Sequence, residues 1–199
     1  MQRTRKLMLW AIAPVIAAAV PGTAWYVGRD STDTTATASN LHLVADLSES
    51  RLKMYEGDTL VWQYPISPGT PKYPTPPGEY KIRKLVWNPS WTPPPNAAWA
   101  KKESAKGPGE PGNPMKVVKI FFHEPDYYIH GTGYTSKLGQ PASHGCLRMD
   151  PEHVAEVARY VMEHGGQPRE ESWFWRVLHF RSEEKPIYLK NPIPLTVKS

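Results

Sequence analysis

From Leu41 onward apolar residues fall at every second position: Leu41, Leu43, Ala45 and Leu47, then Leu52 and Met54, then Leu60, Trp62, Tyr64 and Ile66. A period of two is the mark of strands that bury one face. Glu56-Gly57-Asp58 separates the second and third runs, and a short turn containing Gly joins them as a hairpin. Pro65–Tyr80 is rich in turn residues, and Glu79–Trp87, Met115–His123 and Asp126–Gly131 read as further strands. The period then changes: Val154, Val157, Ala158, Val161 and Met162 lie at helical spacing behind Asp150 as N-cap and Pro151 as first helical residue, and Gly165-Gly166 ends the helix. Pro186–Val197 predicts one or two closing edge strands, since its prolines cannot donate to a central ladder. Residues 170–181 match no pattern. Strands with one late helix predict a mainly β domain, a β-sandwich or partly closed barrel.

Two segments interrupt this order. Residues 88–114 are too rich in proline and too long for a regular ladder, and a loop of this length inside a compact domain is usually functional; it is expected to be a flap over a site, with Trp91 and Trp99 packing it down or contacting substrate. At the start, Arg3, Arg5 and Lys6 precede an uncharged run from Leu7 to Val27. That is an export signal, either cleaved after Ala24 or retained as an anchor in the inner membrane. The expected organisation is residues 1–28 as signal or anchor, 29–39 as a Ser/Thr-rich linker, and 40–199 as the functional domain.

Charge changes the picture little. The chain carries 24 basic and 19 acidic residues, a net +5. Arg3, Arg5 and Lys6 are all in the first 24 residues, and beyond them 21 basic face 19 acidic. A nucleic-acid partner is therefore not expected.

Export sharpens the question of Cys146, the one cysteine in 199 residues. Thiols outside the cytosol are usually paired, and this one has no partner in the chain. It is either a buried small hydrophobe or a nucleophile. His130 and His144 are the candidate bases; in an extended segment the spacing of His144 and Cys146 puts both on one face. Gly145 suits a turn whose N–H groups converge as an oxyanion hole, and Arg148 suits a substrate carboxylate. His123, His130, His144 and Cys146 are ligand types that zinc accepts, but none falls in HExxH or paired CxxC spacing, and no metal or other cofactor is expected.

IHGT at 129–132, SHGCLRM at 143–149 and the PTPPG of residues 74–78 together resemble the YkuD-type L,D-transpeptidases, which remodel bacterial peptidoglycan. The likeness covers about residues 40–165, with Arg148 standing where some members have Asn. It implies the L,D-transpeptidase fold, an exported enzyme of the periplasm or cell envelope, and no cofactor. It also implies that Cys146 attacks, that His130 is the base oriented by the Gly131 carbonyl, and that Gly145 and Cys146 N–H groups form the oxyanion hole. Ser143 and His144 would shape the loop, and Arg148 would lie near a substrate carboxylate. The partners implied are peptidoglycan stem peptides, with a stem, an envelope lipoprotein or water as acceptor. Two rivals are a sortase-like thiol transpeptidase, whose His and Arg lie much farther from the Cys, and a non-catalytic wall-binding module, which would need neither Cys146 nor His130.

Overall fold

The computed structural model describes residues 40–95 and 97–199; the charged start, the apolar run and the Ser/Thr tract lie outside them. Among the described residues no helix is long and apolar enough to cross a membrane. The strands are β1 (Leu41–Asp46), β2 (Arg51–Glu56), β3 (Thr59–Pro65), β4 (Gly78–Trp87), β5 (Lys116–His123), β6 (Tyr127–Gly131), β7 (Leu147–Met149) and β8 (Lys185–Lys198), with helices α1 (Pro151–His164) and α2 (Glu171–His179) between the last two.

All eight strands form one sheet in the order β3-β2-β1-β8-β4-β5-β6-β7. Its two ends meet. Ser67, just past β3, and Arg148 of β7 exchange backbone bonds of 2.9 and 3.0 Å. The sheet is thus nearly closed into a barrel, and of the two β architectures predicted from the sequence the sandwich is not the one formed.

Alternation explains the core. Leu41, Leu43 and Ala45 of β1, Leu52 and Met54 of β2, and Leu195 and Val197 of β8 are almost completely buried in one apolar cluster with Ile120, Ile129, Leu147 and the inner face of α1. Removal of that surface from water is the main stabilising term, about 25 cal/mol per Å² of apolar area. The run in β3 departs from it: Leu60 and Trp62 are exposed on the first strand of the sheet order.

α1 begins as its sequence predicts. The Asp150 side chain accepts the Glu152 N–H at 2.8 Å, Pro151 occupies the first turn, and Val154, Val157, Ala158, Val161 and Met162 are buried. The helix packs on β5, β6 and β8.

Two expectations are corrected. There are two α-helices rather than one: α2 has Glu170 as N-cap with no side-chain cap bond and docks Trp173 and Phe174 on Trp87, ring centroids 6.0 and 5.5 Å away. The C-terminal segment is one strand, and it is central rather than at an edge. Its prolines are tolerated because β1 pairs only with Leu195–Lys198, so Pro186, Pro192 and Pro194 have no neighbour there to bond. Between those prolines β8 bulges away from β4, and Lys190 and Asn191 donate instead to the Gly165 carbonyl at the end of α1.

Candidate active site

Three neighbouring strands assemble the site. Ile120, Ile129 and Leu147 face the core, so the alternate positions Lys119 and Phe121 of β5, Tyr128 and His130 of β6, and Arg148 of β7 share the opposite face. Lys119 stands opposite His130, and His130 opposite Arg148. With strands about 4.8 Å apart, a lysine, a histidine and an arginine form one row across the sheet. Phe121 and Tyr128 begin the next row, and Cys146, one residue before β7, adjoins Tyr128 in it.

The rows floor a cavity of about 720 Å³ that the proline-rich loop roofs. That loop is folded on itself: Trp91 and Lys106 exchange backbone bonds of 2.8 Å, and Asn113 holds the Pro89 and Gly107 carbonyls. Trp91 is buried, whereas Trp99 lies stacked on His144, centroids 4.0 Å apart and planes at 16°. Tyr73 packs on His144 at 4.8 Å.

His130 is buried, and its Nδ1 lies 2.8 Å from the Gly131 carbonyl oxygen. A carbonyl only accepts, so Nδ1 carries the proton and Nε2 is the basic nitrogen. Burial pulls the imidazole down to about 3, helped by the Arg148 and Lys119 charges and opposed by the Gly131 bond. His130 is therefore neutral at pH 7. Gly131 must be glycine, because a Cβ there would stand 2.5 Å from the Lys116 carbonyl oxygen.

Cys146 is half-buried, and its Sγ–H donates to the Asp126 carbonyl at 3.3 Å, at the tip of the β5–β6 hairpin, not to His130. Burial pushes the thiol up to about 11, while the N–H and hydroxyl of Tyr128 and the charges of Lys119 and Arg148 pull the other way. The free site thus holds a neutral thiol and a neutral imidazole. Only the thiolate alkylates, so labelling by iodoacetamide is expected to quicken about tenfold per pH unit from pH 6 upward, towards a plateau near pH 11. A plateau already reached at pH 7 would instead mean a thiolate–imidazolium pair.

The chain at His144-Gly145-Cys146 is bent rather than extended. Gly145 has φ +116°, and a Cβ there would meet the Tyr127 ring at 3.0 Å. His144 is turned towards Trp99 and Tyr73, although it lines the same cavity as Cys146. The buried Ser143 hydroxyl donates to the Cys146 carbonyl at 2.5 Å and accepts the Gly145 N–H at 3.0 Å. Arg148 donates Nη1 to the Ala142 carbonyl at 3.0 Å and faces the cavity.

Three residues of this site went unassigned in the sequence: Lys119, Tyr128 and Thr75. Tyr128 is two positions before His130 in a strand, which is signal enough to place it on the same face. The Thr75 hydroxyl donates to the Gly145 carbonyl at 2.8 Å and accepts the Gly69 N–H at 2.9 Å, so it links the PTPPG turn to the cysteine loop. Thr75→Val keeps the shape and removes both bonds. The expected cost is about 1–3 kcal/mol, read as a lower melting temperature together with slower modification of Cys146. Among the described residues no three His, Cys, Asp or Glu side chains come together as a metal site.

A buried neutral histidine and a thiol on one sheet face, beneath a loop, make a site for acyl chemistry on a cysteine. The chain belongs to the YkuD-type L,D-transpeptidase catalytic domain family, whose profile matches residues 40–171. It is 31% identical over 119 residues to a Bacillus licheniformis protein named as L,D-transpeptidase YkuD, covering 60% of this chain and 59% of that protein. A Fuscovulum blasticum protein, named as an L,D-transpeptidase in the ATP synthase subunits region, is 38% identical over 82 residues, 40% of this chain and 42% of its own. This chain therefore matches less than two thirds of the length of either. Among solved structures, an L,D-transpeptidase from Mycobacterium smegmatis superposes with a TM-score of 0.52 at 17% identity, over 81% of this chain and 59% of the other, a likeness of fold.

Proposed function

We propose that this chain is an exported L,D-transpeptidase that carries a peptidoglycan stem on Cys146 as a thioester and passes it to an amine. The observation that supports it most is the placing of Cys146 and His130 in one roofed cavity, with Nε2 of His130 left as the base. Nε2 takes the Sγ proton as sulfur bonds to the carbonyl carbon of the third stem residue, a diamino acid. The C–N bond to the terminal D-alanine then breaks, and His130 returns its proton to the departing amine. The second half reverses these roles: the acceptor amine attacks the thioester, its proton passes through His130, and the thiol is restored.

The developing oxyanion would be met by the N–H groups of Cys146 and Gly145. In the free site Gly145 donates to Ser143 Oγ, so that N–H must turn from Ser143 when substrate arrives. Ser143 and His144 hold the loop, and Arg148 takes a carboxylate of the stem. The charged start and apolar run of residues 1–28 support export, to the periplasm or cell envelope. The acceptor is a second stem, with an envelope lipoprotein as the alternative.

The test is intact-protein mass spectrometry of residues 40–199 mixed with a disaccharide tetrapeptide. D-alanine should be released and Cys146 should carry the tripeptide acyl group; a carbapenem should acylate the same thiol. A second stem should then yield a cross-linked dimer, and tripeptide alone would indicate water as acceptor. If neither reagent modifies Cys146, the proposal fails and a wall-binding module becomes the better reading.

A further inference from the structure

Lys119 is a cation inside the cavity with no opposite charge of its own. Its Nζ donates to the Ser90 carbonyl at 2.8 Å and lies 4.9 Å from the centre of the Tyr128 ring. Among the described residues no carboxylate lies within ion-pair distance of it. Burial lowers its pKa, against the pull of Glu184 and Cys146.

The lysine is also held in place. Glu184 Oε1 accepts both the Ser90 N–H at 2.6 Å and the Ser90 hydroxyl at 2.5 Å, which fixes the carbonyl that Lys119 bonds. An ammonium has three donors, and the bond to Ser90 uses one. Removing an ammonium from water without a counter-charge is costly, and a cation fixed in a cavity is well suited to an anionic ligand.

The two ends of the His130 row differ. Arg148 also borders a second cavity of about 330 Å³, lined by Tyr134, Lys137 and Gln140. Beside Lys119 the cavity is lined by Ser90, whose carbonyl the lysine bonds, and by buried Trp91. A peptide that continues towards the glycan needs the end with further space. A chain terminus needs no such space and fits the end at Lys119.

We propose that Lys119 binds the terminal carboxylate of the acyl donor, so that the site takes a stem whose leaving D-amino acid is the last residue. This rests on the acyl-transfer reading above and adds a length-selecting residue to it. An extended or amidated terminus would bring Lys119 an uncharged group and leave its charge unmatched.

The test compares two donors, a disaccharide tetrapeptide ending in the free acid and the same donor ending in a carboxamide, on the wild-type chain and on Lys119→Met. Methionine keeps an apolar stem beside Tyr128, and melting curves check the fold. Wild type is expected to favour the acid roughly 10- to 100-fold in kcat/KM, the range for a hydrogen bond to a charged group. Lys119→Met should lose that factor on the acid beyond whatever it loses on the amide, where only the pull of its charge on the thiol is removed. If both donors slow equally in the variant, Lys119 serves the thiol and not the substrate, and the assignment is overturned. It is overturned also if wild type acylates equally from both donors, in which case the transpeptidase reading still stands. Acylation of wild type by neither donor would remove that reading itself.

Discussion

Cys146→Ser is expected to abolish turnover while leaving the melting temperature close to wild type. The reason is chemical rather than architectural. Sγ donates to the Asp126 carbonyl and faces the Tyr128 N–H and hydroxyl; a serine hydroxyl can donate to the same oxygen and accept from the same donors, so the loop has no cause to move. The bonds that shape the loop come from Ser143 and Thr75 and end on backbone atoms, which the substitution leaves alone. What changes is the nucleophile. A hydroxyl holds its proton far more tightly than a thiol, and the site already pushes the thiol up to about 11 by burial, so the same surroundings would leave serine almost wholly protonated. Loss of a nucleophile typically costs roughly 10^4- to 10^6-fold in kcat. Release of D-alanine from a tetrapeptide measures it, and near wild-type release would show that another group attacks.

His130→Ala is expected to lower the rate of acylation by roughly 10²- to 10⁴-fold, the usual worth of a general base. The neutral state of the free site sets the form of this loss. Because the imidazole sits near 3 and the thiol near 11, neither is charged between about pH 4 and 10, and His130 does not hold a thiolate in place before substrate arrives. Its work falls in the transition state, when the proton leaves sulfur. The loss should therefore appear in the reaction with stem peptide at pH 7 and largely vanish for iodoacetamide at pH 11, where hydroxide has already removed the proton. Equal losses at both pH values would mean that His130 supports the loop instead.

Much of this site is legible in alternation. Tyr128 and His130 share a face because they are two apart in a strand, and Lys119 and Phe121 do so for the same reason. What alternation does not carry is which strand lies beside which, and at what register. Lys119 becomes a neighbour of His130 only after a bulge in β5, where Val117 adopts φ 65°, a conformation that a β-branched residue rarely takes and that no residue choice announces. Arg148 joins the row through a parallel pairing with no local signal at all. The expectation that His144 and Cys146 point the same way assumed an extended chain, and Gly145 at φ +116° breaks that assumption. α2 was hidden for a different reason. It is nine residues long, lacks a capping side chain, and is stabilised by aromatic packing on Trp87 rather than by its own caps. The prolines of β8 do lack donors, as the sequence predicts, but the missing bonds fall where β1 has not yet joined.

The position of β8 also constrains how the chain reaches this state. It lies between β1 and β4, and its parallel partners are far away in sequence: Leu43 faces Leu195 and Asp46 faces Lys198. A ribosome releases β8 after the other seven strands, so until then the first hairpin and the β4–β7 half each present an open edge that invites pairing with another chain. Contacts of such sequence separation are slow to form. Folding should therefore wait for β8, and a chain stopped short of Lys185 should remain sensitive to protease and prone to aggregate, however intact its cysteine loop.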